Sequence, residues 1–184
     1  MKTVFLSGSR RIRHLDEQVR GRLQTIADDG DMVVVGDAGG ADTAFQRYFA
    51  DAGYRNVTVY CSGNECRNNV GGWDTHNVET APNIKGRAFY AVKDRAMAAA
   101  ADYGLILWDG KSLGSITNAL ELVTKGKHAD VYFAPGNEFY TLSTIEDLNK
   151  LLDVIDAATR NKLIKDLNLQ SDEPELPGQM ELLF

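Results

Sequence analysis

Three short apolar runs in this chain each end in a turn of glycine and small polar residues, and each turn leads into a stretch with helical periodicity. The turns are Ser7-Gly8-Ser9-Arg10, Gly36-Asp37-Ala38-Gly39-Gly40-Ala41-Asp42 and Asp109-Gly110-Lys111-Ser112-Leu113-Gly114-Ser115. Strand, small-residue turn, helix is the unit from which open parallel sheets are built. Such sheets hold phosphates and sugars at the carboxyl ends of their strands. Three of these turns in 184 residues direct the chain to an α/β fold and point to a nucleotide-like ligand.

The remaining pattern agrees. Thr3–Leu6, Met32–Val35, Val57–Tyr60, Tyr103–Trp108 and Val131–Phe133 read as strands, the second a continuous β-branched run suited to burial on both faces. Leu15, Val19, Leu23 and Ile26 recur at helical spacing, as do Ile116, Leu120 and Val123. Asp42 is read as the cap of a helix carrying Phe45 and Phe49, and Ser143 or Thr144 as the cap of a later one. Between residues 62 and 83 no periodicity is found, which in a compact domain marks a functional loop. The fold expected is a Rossmann-like open parallel sheet of about five strands with helices on both faces, plus C-terminal helices.

Charge bears on partners. The formal net charge is -6, and nucleic acid normally asks for a basic surface, so a nucleic-acid partner is counted improbable and a small ligand preferred. The first apolar run is too short for a signal peptide and none is long enough to span a bilayer. A cytoplasmic protein without membrane contact is therefore expected. Cys61 and Cys66, with His76 further on, lack the further ligands a zinc site needs. Ordinary thiols are the expectation, because a disulfide is unusual in the cytoplasm.

Candidate ligand contacts fall in the turns. Gly8, Ser9 and Arg10 (or Arg11) would meet an anion. Gly39 and Gly40 allow close backbone approach, and Asp37 is an acceptor-only group suited to a ribose diol. Asp109 is a further sugar candidate. Lys111, Gly114 and Ser115 would meet phosphate at a helix N-terminus, with Asn118 one turn on. The order of residues is not that of a P-loop. Lys93 and Asp94 read equally as an exposed ion pair or as substrate contacts. Arg67 and Trp73 could cap the site, although Trp73 serves equally as a pin for its loop. His14, His76 and His128 are explained by surface positions. No nucleophile–histidine–carboxylate set is evident, which leaves Asp37, Asp94 or Asp109 for carboxylate-based glycosidic chemistry.

Taken together, Gly8-Ser9-Arg10, the Gly36–Asp42 turn and Gly114-Ser115-x-x-Asn118 resemble the SLOG superfamily. That superfamily includes the Lonely Guy phosphoribohydrolases, the DNA-processing protein DprA and the possible lysine decarboxylases. The resemblance covers about residues 1–135. It implies a nucleotide or phosphoribosyl ligand and a homo-oligomer; no cofactor and no metal are expected. In the Lonely Guy enzymes this third turn carries a catalytic glutamate, where the present chain has Asn118. Their arginine in an Arg-Lys-x-x-Met context becomes Lys93-Asp94-x-x-Met97. An amide cannot ionise, so the resemblance favours a binding protein. The alternative is an N-glycosidase or deoxyribosyltransferase using Asp94 or Asp37. The organisation expected is a nucleotide-binding domain over 1–135, a helical extension over 136–170 and an acidic tail over 171–184.

Overall fold

The structure, a computed structural model, describes residues 1–169; the expected acidic tail lies outside the described residues. Its elements in chain order are β1 (Thr3–Gly8), α1 (Glu17–Asp28), β2 (Met32–Gly36), α2 (Ala41–Asp51), β3 (Val57–Ser62), β4 (Asp74–Val78), α3 (Gly86–Ala100), β5 (Tyr103–Trp108), α4 (Leu113–Thr124), β6 (Ala129–Phe133), β7 (Glu138–Leu142), α5 (Ile145–Leu152) and α6 (Ala157–Leu167). They build one sheet of order β4-β3-β2-β1-β5-β6-β7. All neighbouring strands run parallel except the final pair, β6 and β7.

The Rossmann-like α/β architecture is thus as expected, with seven strands in place of about five. Both additions are edge strands. β4, with the sequence Asp-Thr-His-Asn-Val, is exposed over four of its five residues, so it has no apolar alternation to betray it. β7 pairs back on β6 through a short turn in which Asn137 has φ 52°.

Alternation along the central strands sorts the core into two layers. Val4, Leu6, Val33, Val35, Leu105 and Leu107 pack with Val19 and Leu23 of α1 and Phe45 and Phe49 of α2. Phe5, Val34, Ile106 and Trp108 face the other way, onto Met97 of α3, Ile116 and Leu122 of α4, Leu148 and Leu151 of α5 and Leu163 of α6. Burying both faces of a strand is what turns its sequence into an unbroken apolar run. Truncating a fully buried aromatic such as Phe45 would cost about 3–5 kcal/mol.

The helix starts follow ordinary capping chemistry, with one correction. Asp16, Ser112 and Asp156 cap α1, α4 and α6 with their side chains, and Thr144 with Asp147 forms a capping box on α5. Asp42 is not the cap of α2. That position belongs to Gly40 at φ 78°, and Asp42 stands in the first turn with Oδ2 accepting from the Ala38 amide at 3.1 Å. Among the described residues no helix is long and apolar enough to cross a membrane.

The order of the strands fixes where a site can lie. The chain builds β2, β3 and β4 on one side of β1 and then returns to place β5 on the other. Loops after β1 and β5 diverge at this switch point and leave a crevice at their carboxyl ends. The first and third glycine turns flank that crevice, and the second follows the adjacent β2.

Candidate functional site

The glycine turns pack against one another before they offer anything to a ligand. Gly8 is pressed between α2 and β5: a Cβ there would lie 2.7 Å from both Ala41 Cβ and the Leu107 carbonyl oxygen. The Ala41 amide donates to the Ser9 carbonyl at 3.1 Å, and the Ser9 amide to the Leu107 carbonyl at 2.9 Å. Gly40 abuts the backbone of Arg10. Gly39 and Gly114, in contrast, have open space where a side chain would stand.

The third turn is closed by Asp109. Its Oδ1 accepts from the Lys111 and Ser112 amides at 3.1 and 2.7 Å, and its Oδ2 accepts from Ser9 Oγ at 2.9 Å. Burial raises the Asp109 pKa, but these hydrogen bonds outweigh it and hold the carboxyl below its ordinary value. Trp108 Nε1 donates to the Ser112 carbonyl at 3.2 Å, tying the turn to the core. Ser115 Oγ lies 3.0 Å from Ser112 Oγ, and Asn118 Nδ2 donates to Ser7 Oγ at 2.7 Å in a buried contact.

Beneath the crevice lies a set of charged side chains. Lys93 is 3% exposed, and its Nζ meets Asp94 Oδ1 at 2.7 Å. The Lys93 and Asp42 side-chain ends both crowd the α-carbon of Gly36, where a Cβ could not be placed. Burial pushes Asp42 up to about 6 against the pull of Lys93. Burial also works to lower Lys93, and Asp94 and Asp42 overcome it, so that Lys93 stays firmly charged. Asp37 is closed by Arg67, which donates from its amide, Nε and Nη2 at 3.0, 3.1 and 2.6 Å. Burial raises the Asp37 pKa, yet the bonds from Arg67 bring it below the usual carboxylate value. Both Asp37 oxygens are thereby engaged.

The Arg67 guanidinium also stacks over Tyr90, 4.1 Å from the ring centroid. Trp73, offered above as a cap or a pin, donates from Nε1 to the Tyr54 carbonyl at 2.8 Å and packs with the α1–α2 layer. It pins its loop. Cys61 and Cys66 form a disulfide with Cα atoms 5.1 Å apart, which corrects the expectation of two free thiols. The carboxyl end of β3 and the following turn bring the two Cβ atoms together.

Three depressions adjoin along this edge, and Arg10 lines all of them. The central one, about 540 Å³, has Ser7, Asp42, Lys93 and Asn118 among its lining and Arg67, Arg87 and Tyr90 at its sides. A second, about 370 Å³, is lined by Arg10, Arg13, Gly39, Gly40, Thr43 and Arg47. A third, about 470 Å³, lies between the Asp109 turn and α6, with Arg11, Lys111 and Lys162 on its walls. Arg10, Arg11, Arg13, Arg47, Lys111 and Lys162 are all exposed. Only Arg11 of these six is within ion-pair range of a carboxylate among the described residues, Asp109 at 3.5 Å.

The candidate residues read from the sequence therefore gather at one edge, in different roles. Gly8, Ser9, Gly40, Asp37 and Asp109 shape and lock the turns, while Arg10, Gly39, Lys111 and Gly114 lie open to a ligand. Lys93, Asp94, Ser115 and Asn118 line the central depression. Arg13, Arg47, Arg87, Tyr90 and Lys162 were missed. A signal existed for two of them: Thr43 and Arg47 share a helix face at spacing i, i+4, and Arg13 follows Arg10-Arg11 closely.

No protein-family model matches the chain, and no curated protein matches it. Its fold is similar to that of DNA processing protein A from Helicobacter pylori, with a TM-score of 0.58 and 18% sequence identity over 90% of this chain and 81% of that one. That protein's solved structure is described through a single-stranded DNA binding mode. The finding overturns the expectation of a nucleotide or phosphoribosyl ligand, with an N-glycosidase or deoxyribosyltransferase as alternative and nucleic acid as an improbable partner. The error lay in the charge argument. A net charge of -6 sums the whole surface, whereas phosphate contact depends on where the cations stand.

Proposed function

We propose that the carboxyl edge of the sheet binds single-stranded nucleic acid, in a protein of the SLOG type. The supporting observation is the position of Arg10, which is common to three adjoining depressions and joins their cations into one exposed run. Arg10, Arg13 and Arg47 face the phosphates on one side of the crevice and Arg11, Lys111 and Lys162 on the other. Guanidinium groups suit this task, because their fixed fork meets phosphate oxygens in pairs. Tyr90, 38% exposed at the rim, offers a face to a base, and stacking of this kind contributes about 1–3 kcal/mol.

Residues 1–135 supply most of this surface, and the helical extension closes one end of it through Thr159 and Lys162 of α6. The fold shared with a single-stranded DNA binding protein agrees with this reading. So does the lack of an uncommitted carboxylate among Asp37, Asp94 and Asp109: each is engaged by a cation or by turn amides.

The test is fluorescence anisotropy of a labelled thymidine oligonucleotide in low salt. Saturable binding is expected, tighter for the single strand than for a duplex of equal length, and lost when Arg10, Arg13 and Arg47 are together replaced by Ala. Absence of binding, or binding that the triple variant keeps, would overturn the proposal.

A further inference from the structure

We propose that the Cys61–Cys66 disulfide is a reversible redox site that sets the grip of the crevice by holding Arg67 in place. The consequence for binding rests on the nucleic-acid reading above; the effect on Arg67 does not.

The disulfide stands directly beside the Asp37–Arg67 pair. Cys61 ends in the core and is fully buried, whereas Cys66 is half-buried and lines a depression of about 350 Å³ with Asp37, Arg67, Phe89 and Tyr90. Arg67 follows Cys66 in the chain, and three hydrogen bonds join it to Asp37. The segment between has few other ties. The Gly63 amide donates to the Val78 carbonyl and Asn68 Nδ2 to Thr43 Oγ1. From residue 64 to 67, the anchors found among the described residues are the disulfide, the packing of Cys66 against the core layer, the bonds from Arg67 to Asp37 and the stacking of Arg67 on Tyr90.

Accessibility gives the exchange a direction. A dithiol reductant attacks as its thiolate on the half-buried Cys66 sulfur, and the Cys61–Cys66 bond breaks. The electron pair leaves with the Cys61 sulfur, which takes a proton. The reductant's second thiolate then displaces Cys66 from the mixed disulfide, and Cys66 is protonated in turn. Two electrons and two protons pass to the protein, and the reductant departs as its own disulfide.

With the cross-link open, the 64–67 segment gains conformational freedom and Arg67 spends less time on Asp37. The Asp37 carboxylate is then uncovered beside the phosphate path, and Tyr90 loses the guanidinium that stacks on it. Both changes weaken a polyanion's hold. Oxidation is therefore the tight-binding state.

The experiment compares the unmodified protein before and after dithiothreitol, with thiols counted by alkylation and mass spectrometry. No alkylation is expected before reduction and two alkylated cysteines after it. Hydrogen exchange at the Arg67 amide should accelerate roughly tenfold or more on reduction. Affinity for the labelled oligonucleotide should fall on the order of five- to tenfold, and Cys66→Ser should match the reduced protein and ignore dithiothreitol. Two free thiols in the protein purified in air, or an unchanged Arg67 amide, would overturn the redox site. Faster Arg67 exchange with no oligonucleotide binding in either state would keep the clasp and sink the nucleic-acid reading instead. Faster exchange with equal affinity in both states would overturn its link to binding.

Discussion

Gly40 lies directly against the backbone of Arg10, with no room for a side chain between them and with its own φ at 78°. The turn after β2 thus props the turn that carries the arginine common to all three depressions. Gly40→Ala would add both left-handed strain and a backbone clash, together about 2–3 kcal/mol. That is a fall of roughly 5–10 °C in melting temperature for a domain of this size. Gly39→Ala, where the added carbon meets open space, should unfold within about 0.5 kcal/mol of the parent. Thermal unfolding of the two variants checks the contrast; equal losses would mean that the turns do not pack as described.

Lys93 is the cation of the buried floor, with Asp94 at 2.7 Å and Asp42 nearby on the same side of Gly36. Lys93→Met keeps the packing and leaves two carboxylates without their counter-charge. A loss of about 3–5 kcal/mol is expected, because a stranded buried charge costs more than the pair contributes. Adding Asp42→Asn should recover part of it, since the two sites share one interaction. Strictly additive losses in urea unfolding would contradict the coupling.

The floor also predicts a pH dependence. Asp42 titrates at about 6 in the folded protein against 3.8 as its ordinary value, raised by burial. The folded state therefore binds the proton more tightly through that window, so this group's contribution to stability declines as pH rises from about 4 to about 6 and is level above. The full decline across the window amounts to about 3 kcal/mol. Asp42→Asn removes the slope. Asp37 and Asp109, both lowered, contribute stability that is lost as pH falls below 3.8; they are common to both proteins and cancel in the difference. Urea unfolding from pH 4 to 7 should show the parent losing ground to the variant over that window. Parallel curves would show that Asp42 is not penalised by burial.

The layered α/β core was readable in the sequence because Val33, Val34 and Val35, or Leu105 through Trp108, are buried on both faces of a central sheet and carry their signal locally. β4 was not readable, because a strand paired on one edge and exposed on its faces needs no apolar residue. The glycine turns drew attention to the edge where the candidate residues gather, but not to how those residues pair. The Asp37–Arg67 pair spans 30 positions, and two cysteines five residues apart read as free thiols wherever a cytoplasmic compartment is expected. The basic run was legible only in part, through Arg10, Arg11 and Lys111. Arg10 and Arg13 come from the first turn, Arg47 from α2 and Lys162 from α6, and only the folded chain gathers them at one edge.

The salt dependence of oligonucleotide binding tests the central claim most directly, because it counts phosphate contacts without needing to know the sequence bound. Plotted as the logarithm of the association constant against the logarithm of salt concentration, single-strand binding falls with a slope of about -0.7 per phosphate neutralised. The account predicts a slope of roughly -3 to -4 for the parent, on about five cations engaged. Arg10→Ala should make it shallower by roughly one contact, whereas Lys150→Ala, remote on α5 and paired with Glu146, should leave it unchanged. A slope near zero, or one that Arg10→Ala does not alter, would contradict the assignment of this edge to nucleic acid.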